Sequence, residues 1–447
     1  MLQQYYLRSS KAKQLQNWYN EYLVEKEHLE AHEYESAIIL PLRNDGNACL
    51  AWGLGGVVDA DGQFINESAI PGYYNYGYND ITPVTREETV VYLGYFRKHW
   101  GDFLVDCTNR LWYSLSDHTS VDRYVFFCDA GKTLKLDGAY REFFELLGIW
   151  NKLDIINTPT RYKRVIIPES SFCRQKGIWC PKNYLKVFDA VRDNALNKTA
   201  GQGTDVLSDK RIFLTRSMLL KAKRNELGLD LLDSFFSCNG YKVIAPEELS
   251  LREQIEAINN ADIVACCSGT LPHNMLFGKQ EQKLVIIERN ALNNRVQPYI
   301  SRMRALEVYH VDGNYTIYPV ELAYGPFIYG YSKELKQFVE HMGYVPPDES
   351  FLSQRYLRRV FRAYMELYRK EHYASWYMGG DLPWMTRDID ILYEAYLDSE
   401  SVFGAFLKGK KMFSVRQLFE IRFLKRFIKT LVVKARSYSN CLRGHRD

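Results

Sequence analysis

Residues 210–216 read KRIFLTR, 261–277 read ADIVACCSGTLPHNMLF and 283–288 read KLVIIE. Between them lie KRNE at 223–226 and EELSLREQI at 247–255. Four short apolar runs, Ile212–Leu214, Tyr241–Ile244, Ile263–Cys266 and Leu284–Ile287, alternate with helix-length polar segments. Strands buried on both faces of a parallel sheet read as near-continuous hydrophobic runs, so this rhythm predicts an α/β unit. Ligands of such sheets bind at the C-terminal strand ends. There the chain carries Thr215-Arg216, Ser268-Gly269-Thr270 and Glu288.

Those residue types suit a phosphorylated, ribose-bearing ligand. Ser268-Gly269-Thr270 lacks the bulk that keeps a backbone away from a ligand, and Leu271-Pro272 follows, with proline tolerated in a first helical turn. His273-Asn274-Met275-Leu276-Phe277 is expected to continue as a short helix whose amino end favours a diphosphate. Arg216 and Arg224 are candidate bidentate phosphate contacts, and Glu288 is a candidate acceptor for ribose hydroxyls. A small-residue strand-to-helix turn is also common in any doubly wound sheet, and Arg224 with Glu226 equally suits an exposed helix pair.

The segment resembles the C-terminal half of glycosyltransferase family 61, which includes bacterial capsular-polysaccharide transferases. The resemblance rests on Thr215-Arg216, Arg224-Asn225-Glu226, Gln254, Ala261-Asp262, Gly269 through Asn274-Met275-Leu276-Phe277, and Glu288. The turn departs from the family's usual Gly-Ala-Gly-Leu-Thr-Asn. Two earlier blocks are similar too: Gly53–Asp59 with Asp61-Gly62, and Trp100–Asp106 with Arg110-Leu111-Trp112. In the second block Asp102 stands where the family has a histidine. Together these elements cover about residues 37–345.

The resemblance implies two Rossmann-like α/β domains facing across a cleft (the GT-B arrangement), inversion at the anomeric carbon, and a nucleotide-sugar donor. The chain divides accordingly: a helical lead-in at 1–36, an acceptor-side domain and linker at 37–205, a donor domain at 206–345, and a helical basic extension at 346–447. Strands are expected near Ala37–Leu42, Val90–Leu93, Tyr124–Cys128 and Val165–Ile167, with helices at Asp102–Ser116, Tyr140–Leu147 and Phe351–Tyr368. Glycosyl transfer needs a base for the acceptor hydroxyl and stabilisation of the leaving diphosphate. Asp102 is the candidate base and Asp106 the reserve. Arg216, Arg224, Glu226, Ser268, Gly269, Thr270, His273, Asn274 and Glu288 form the expected donor set.

Composition sets the outer bounds. At 447 residues the chain exceeds one ordinary core. Nine cysteines are scattered without Cys-x-x-Cys spacing, which points to reduced thiols in a cytosolic protein. Asp59-Ala60-Asp61 and Asp388-Ile389-Asp390 spell a metal-type pair but read as turn or surface carboxylates, so no metal or other cofactor is expected. His28, His32 and Glu33 lack zinc-motif order. Tyr73–Asp80 is either a sugar-stacking loop or a packed one. Residues 408–447 hold twelve Lys/Arg against two acids, leaving −6 for the rest of a chain whose net charge is +4. The interleaved apolar stripe at Ile421, Leu424, Phe427, Ile428 and Leu431 fits either the inner membrane face, with a lipid-linked glycan acceptor nearby, or packing on the body. Nucleic acid is a poorer partner for an otherwise acidic chain. A catalytically silent carbohydrate-binding or assembly protein is the alternative to the transferase.

Overall fold

The computed structural model describes residues 3–370 apart from 8, 45–52, 71–73, 81, 117–119, 174–176, 200–208, 291–293 and 316–324. Residues 408–447, Tyr73 and Asp388-Ile389-Asp390 lie outside the described residues. Among the described residues, no helix is long and apolar enough to cross a membrane.

The four apolar runs all lie in one six-stranded parallel sheet. Its order is Gln3–Tyr6, Glu307–Asp312, Lys283–Glu288, Ile263–Cys267, Arg211–Leu214, Lys242–Ile244. Alternate residues serve opposite faces. Phe213, Ala265, Cys267, Val285 and Ile287 pack with Leu231, Phe235 and Phe236 of the Leu229–Cys238 helix. Ile212, Leu214, Val264, Cys266, Leu284 and Ile286 pack with Ala257 and Ile258 of the Leu251–Asn260 helix. The latter helix starts at a capping box, with Ser250 and Glu253 each bonding the other's backbone N–H. From Arg211–Leu214 the chain steps to Lys242–Ile244 on one side, then returns to Ile263–Cys267 on the other. That reversal opens a crevice at the C-terminal ends of Arg211–Leu214 and Ile263–Cys267.

A second, mixed sheet runs Leu54–Val58, Ile38–Arg43, Thr160–Pro168, Val84–Tyr95, Arg123–Phe127, Leu153–Ile156, with Ala31–Glu35 also on Thr160–Pro168. Its last four strands are parallel. This is the α/β class expected, although Ile38–Arg43 runs antiparallel to both neighbours.

Three local expectations need correction. Residues 1–36 are not one helix: Gln3–Tyr6 extends the parallel sheet, Ser9–Tyr19 is helical and Ala31–Glu35 joins the mixed sheet. Asp102–Ser116 is not continuous. One turn at Trp100–Asp102 passes into a wide π-turn at Phe103–Cys107 and a 3-10 stretch at Leu111–Leu115. The Leu104 carbonyl there accepts instead from the Thr108 hydroxyl (2.7 Å) and the Tyr184 hydroxyl (2.6 Å). Thirdly, the linker that ends the 37–205 segment contains a full helix, Pro181–Thr199. Its Tyr184, Val187, Phe188 and Val191 are completely buried.

That helix unites the two sheets. Phe103 and Phe143 from the first half share an apolar cluster with Phe188 and with Leu276, Phe277 and Ile300 from the second. Arg304 reinforces the seam, donating to the Leu276 carbonyl (3.0 Å from Nε) and to Asp189 Oδ1 (2.7 Å). The Phe351–Tyr368 expectation corresponds to a short turn, Glu349–Leu352, and the Gln354–Lys370 helix, which buries Leu357, Val360, Phe361 and Tyr364.

The sheets also meet at Gly101. A Cβ there would lie 2.9 Å from Thr270 Oγ1, 3.2 Å from Thr270 Cγ2 and 3.4 Å from His273 Cδ2. Beside it Trp100 Nε1 donates to Asn274 Oδ1 at 2.8 Å. Gly101→Ala is therefore expected to destabilise the protein by about 1–3 kcal/mol through overpacking. In thermal melts, Gly101→Ala with Thr270→Ala should lose less than the sum of the two single changes. Strict additivity would show that the contact carries no strain.

Candidate functional site

At the crevice, Thr215 and Arg216 leave the Arg211–Leu214 strand while Ser268-Gly269-Thr270 leaves Ile263–Cys267. Thr215 donates its hydroxyl to Asp233 Oδ1 at 2.6 Å, which fixes the strand end. Arg216 Nε bonds Glu226 Oε1 at 2.8 Å. The same carboxylate oxygen meets Arg289 Nη1 at 3.4 Å, and Oε2 accepts from the Tyr329 hydroxyl at 3.0 Å. Glu226 is held there because Glu226–Leu227 pairs as a strand with Phe327–Ile328. The Arg289 guanidinium lies 4.4 Å above the Phe327 ring.

Gly269 makes this arrangement possible. Its φ is +128°, and a Cβ would stand 3.1–3.3 Å from three atoms of the Arg289 guanidinium. Glycine therefore satisfies both the left-handed backbone and the close approach of the arginine. Two guanidiniums facing one carboxylate leave an excess of positive charge at a turn without bulk. This is suitable chemistry for a phosphate-bearing ligand. Leu271–Phe277 is a seven-residue 3-10 run rather than an α-helix. The anion chemistry therefore rests on the two arginines, not on a helix macrodipole.

Other members of the expected donor set have different partners. Arg224 is exposed at the end of the short Leu220–Asn225 helix, outside the Glu226 network. Glu288 stands at its strand end but is buried, with Lys11 Nζ at 3.4 Å and His310 Nδ1 at 3.0 Å. Burial alone would raise its pKa, yet Lys11, His310 and the Ser268 hydroxyl together hold it below the usual glutamate range. Ser268 Oγ also accepts from the Arg289 N–H at 3.2 Å. Glu288 thus braces the turn from behind. Lys11 itself spans to Asp312 Oδ1 (2.9 Å) and the Asn290 carbonyl (2.8 Å).

Asn274 accepts from the Trp100 indole N–H through its carboxamide oxygen. His273 is buried, with Nδ1 2.8 Å from Gln297 Oε1 and Nε2 3.2 Å from Asn294 Nδ2. Asn294 Oδ1 accepts from the Val296 N–H, so its amide group is the one aimed at His273. This assigns a neutral ring that donates from Nδ1 and accepts at Nε2. Burial pushes the imidazole pKa down to about 4. Neutral and doubly bonded, His273 props the turn.

On the first sheet, Asp102 lies just beyond the C-terminal end of Val84–Tyr95. Its Oδ2 is 2.9 Å from Arg97 Nη1 and 3.3 Å from His99 Nδ1. Asp106 lines a small depression with Ile70, Tyr74, Tyr95, Arg97 and Cys107. Asp102 and Asp106 thus flank one edge of the sheet, and Gly101 presses that edge against Thr270. Asp59 Oδ1 accepts from the Asp61 and Gln63 N–H groups (3.0 and 2.8 Å), as a turn carboxylate does. Tyr74 and Tyr78 of the aromatic loop are buried, whereas Tyr76 is exposed. Among the described residues no cluster of three or more His, Cys, Asp or Glu is arranged to hold a metal ion.

Sequence reading missed Arg289 and Lys11, and gave Trp100 no role beyond membership of the Trp100–Asp106 block. Arg289 had a usable signal: like Arg216, it stands within two residues of the end of a buried strand. Lys11 had none, because its partners are more than 270 residues away.

Two stability measurements test these assignments. An unfolded histidine takes up a proton below its ordinary pKa of 6.5, whereas folded His273 does so only near 4. Stability should therefore fall as pH drops from about 6.5 to 4, by up to roughly 3 kcal/mol from this residue. Denaturant titrations across that range should show a flatter profile for His273→Gln; an unchanged slope would contradict the neutral assignment. Separately, Lys11→Met should cost about 3–5 kcal/mol by leaving buried carboxylates uncompensated. Adding Asp312→Asn should recover part of that loss, and a double variant no more stable than Lys11→Met would refute the pairing.

No curated protein matches the chain. Residues 100–286, less than half of it, match the family model described as Glycosyltransferase 61. The matched segment runs from the Trp100–Asp102 turn through the Arg216 and Gly269 crevice to the Lys283–Glu288 strand. This match supports glycosyltransferase family 61 and, with it, glycosyltransferase activity.

Proposed function

We propose that the protein is an inverting family 61 glycosyltransferase that moves a sugar from a nucleotide-sugar donor to a surface or capsular glycan. The observation that carries this reading is the pair Arg216 and Arg289, sharing Glu226 beside the side-chain-free turn at Gly269. In this reading the two guanidiniums contact the donor diphosphate and stabilise the charge that develops as it leaves. The backbone of Ser268–Thr270 borders the same position. Across the Gly101 contact, Asp102 supplies the carboxylate of the base system for the acceptor hydroxyl, and Asp106 lines the adjoining depression.

The acceptor oxygen attacks the anomeric carbon from the face opposite the diphosphate. A new C–O bond forms, the glycosyl–phosphate bond breaks, and its electron pair departs with the nucleotide. The arginines serve the role that a divalent metal has in other transferases, so the proposed reaction is metal-independent. A two-domain GT-B arrangement, a lipid-linked acceptor and a cytoplasmic site against the membrane, held by the basic 408–447 segment, complete the proposal. The composition and charge pattern of the chain support that placement.

The test is a thermal-shift series with uridine, guanosine and thymidine diphosphates and with CMP, each with and without EDTA. One nucleotide should raise the melting temperature, since a ligand at 100 times its Kd contributes about 2.7 kcal/mol. The shift should survive EDTA. Arg289→Met, which leaves the Arg216–Glu226 pair intact, should weaken that nucleotide by about 10–100-fold, the scale of a lost charge-assisted contact. Absence of any shift, or equal binding by Arg289→Met, would refute the proposed donor site.

A further inference from the structure

A second imidazole, besides the buried His273, stands on the acceptor side. His99 precedes the Trp100–Asp102 turn in extended backbone, φ −136° and ψ 118°. Its Nδ1 sits 3.3 Å from Asp102 Oδ2, and its side chain is 57% exposed. Asp102 is far less open, at 28%, and its same oxygen is already engaged by Arg97 Nη1 at 2.9 Å. The carboxylate is thus backed by a guanidinium and fronted by an imidazole.

That order decides which group reaches a substrate. A carboxylate 3.3 Å from Nδ1 favours the proton on that nitrogen, which leaves Nε2 as the ring's proton acceptor on the solvent-facing part of the pair. The groups around it agree. Arg97 acts on Asp102 from the same segment. His273, on the facing 3-10 run, is close enough to Asp102 and His99 to be coupled to them electrostatically but is itself neutral. The electrostatic reach to His273, together with the Gly101–Thr270 contact, puts the pair at the junction of the two sheet edges. Lys98 points elsewhere, to Asp137 and the Lys135 carbonyl.

We infer that His99 is the catalytic base, acting through Nε2, and that Asp102 is its positioning residue. This rests on the transferase reading above and changes which atom receives the proton. The acceptor O–H proton passes to His99 Nε2 as the acceptor oxygen bonds the anomeric carbon. The glycosyl–phosphate bond breaks, and its electron pair leaves with the diphosphate. Asp102 holds the ring in the required tautomer and stabilises the imidazolium formed. Arg97 holds Asp102 in place.

The experiment follows nucleoside-diphosphate release from a panel of uridine-, guanosine- and thymidine-diphosphate sugars with water as acceptor, using the full chain. His99→Ala and His99→Gly should reduce release by at least 100-fold, the scale of general-base catalysis. The melting shift given by the matching nucleotide should stay as in the wild type. Added imidazole should restore part of the release in His99→Gly but not in Asp102→Asn, whose ring is present but unsupported. Wild-type release by His99→Ala would overturn the inference in favour of direct proton transfer to Asp102. Loss of release without imidazole rescue would reduce His99 to a structural role and overturn it equally. If the wild type releases nothing and no nucleotide shifts its melting, the transferase reading fails and takes this inference with it.

Discussion

The buried carboxylate of Glu226 is the point on which the crevice depends. An ionised carboxylate placed away from water is costly unless charge and hydrogen bonds compensate it. Here Arg216, Arg289 and Tyr329 do so from three different segments. The consequence runs both ways. Two guanidiniums that would otherwise repel each other are drawn together, and they are drawn to the Gly269 turn. A neutral residue at 226 would leave those cations facing each other in a poorly hydrated pocket. Positive charge at the mouth and its counter-charge behind are therefore one structure.

A second buried carboxylate pair, Glu288 and Asp312, solves the same problem with a lysine from the opposite end of the chain. Lys11 reaches them because Gln3–Tyr6 adds to the sheet beside Glu307–Asp312 and sets the direction of the following helix. Edge pairing alone would make that strand optional. The ammonium makes it part of the sheet's charge balance. Through Glu288 and Ser268 the same contact reaches the turn, so the first twenty residues bear on the crevice without lining it.

The parallel sheet was legible because its strands are fully buried. Ile263–Cys267 and Lys283–Glu288 have almost no polar residue to disguise the pattern, and the sites follow from where such strands end. Arg216 and Gly269 were identified on that basis and stand at the crevice, whereas Asp102, at the facing edge, came from the family resemblance. Glu288 shows the limit of the method: a strand-end acid reads alike whether it meets a ligand or a lysine. Asn274 and His273 likewise look like ligand groups until Trp100, Gln297 and Asn294 are seen to occupy them. Each partner is remote in sequence or lies in irregular backbone, and periodicity carries no information about either. The Phe103–Cys107 π-turn was hidden for a related reason. Its apolar spacing suits an α-helix, but Tyr184, some eighty residues away, provides the hydrogen bond that lets the helix widen.

The junction at Gly101 turns these separate features into a geometric argument. Glycosyl transfer requires the base and the leaving-group contacts to lie on opposite sides of one carbon, at distances set by bond lengths. Groups on two independently moving bodies would have to be brought to that geometry at an entropic cost. In this protein His99 and Asp102 lie two and one residues from Gly101, and Gly269, against which Arg289 packs, is one residue from Thr270. Gly101 and Thr270 are in contact, and the Trp100–Asn274 hydrogen bond and the shared Phe103–Phe277 cluster hold them so. The spacing between the two sides is therefore built into the folded state, and binding has only to place the substrates within it.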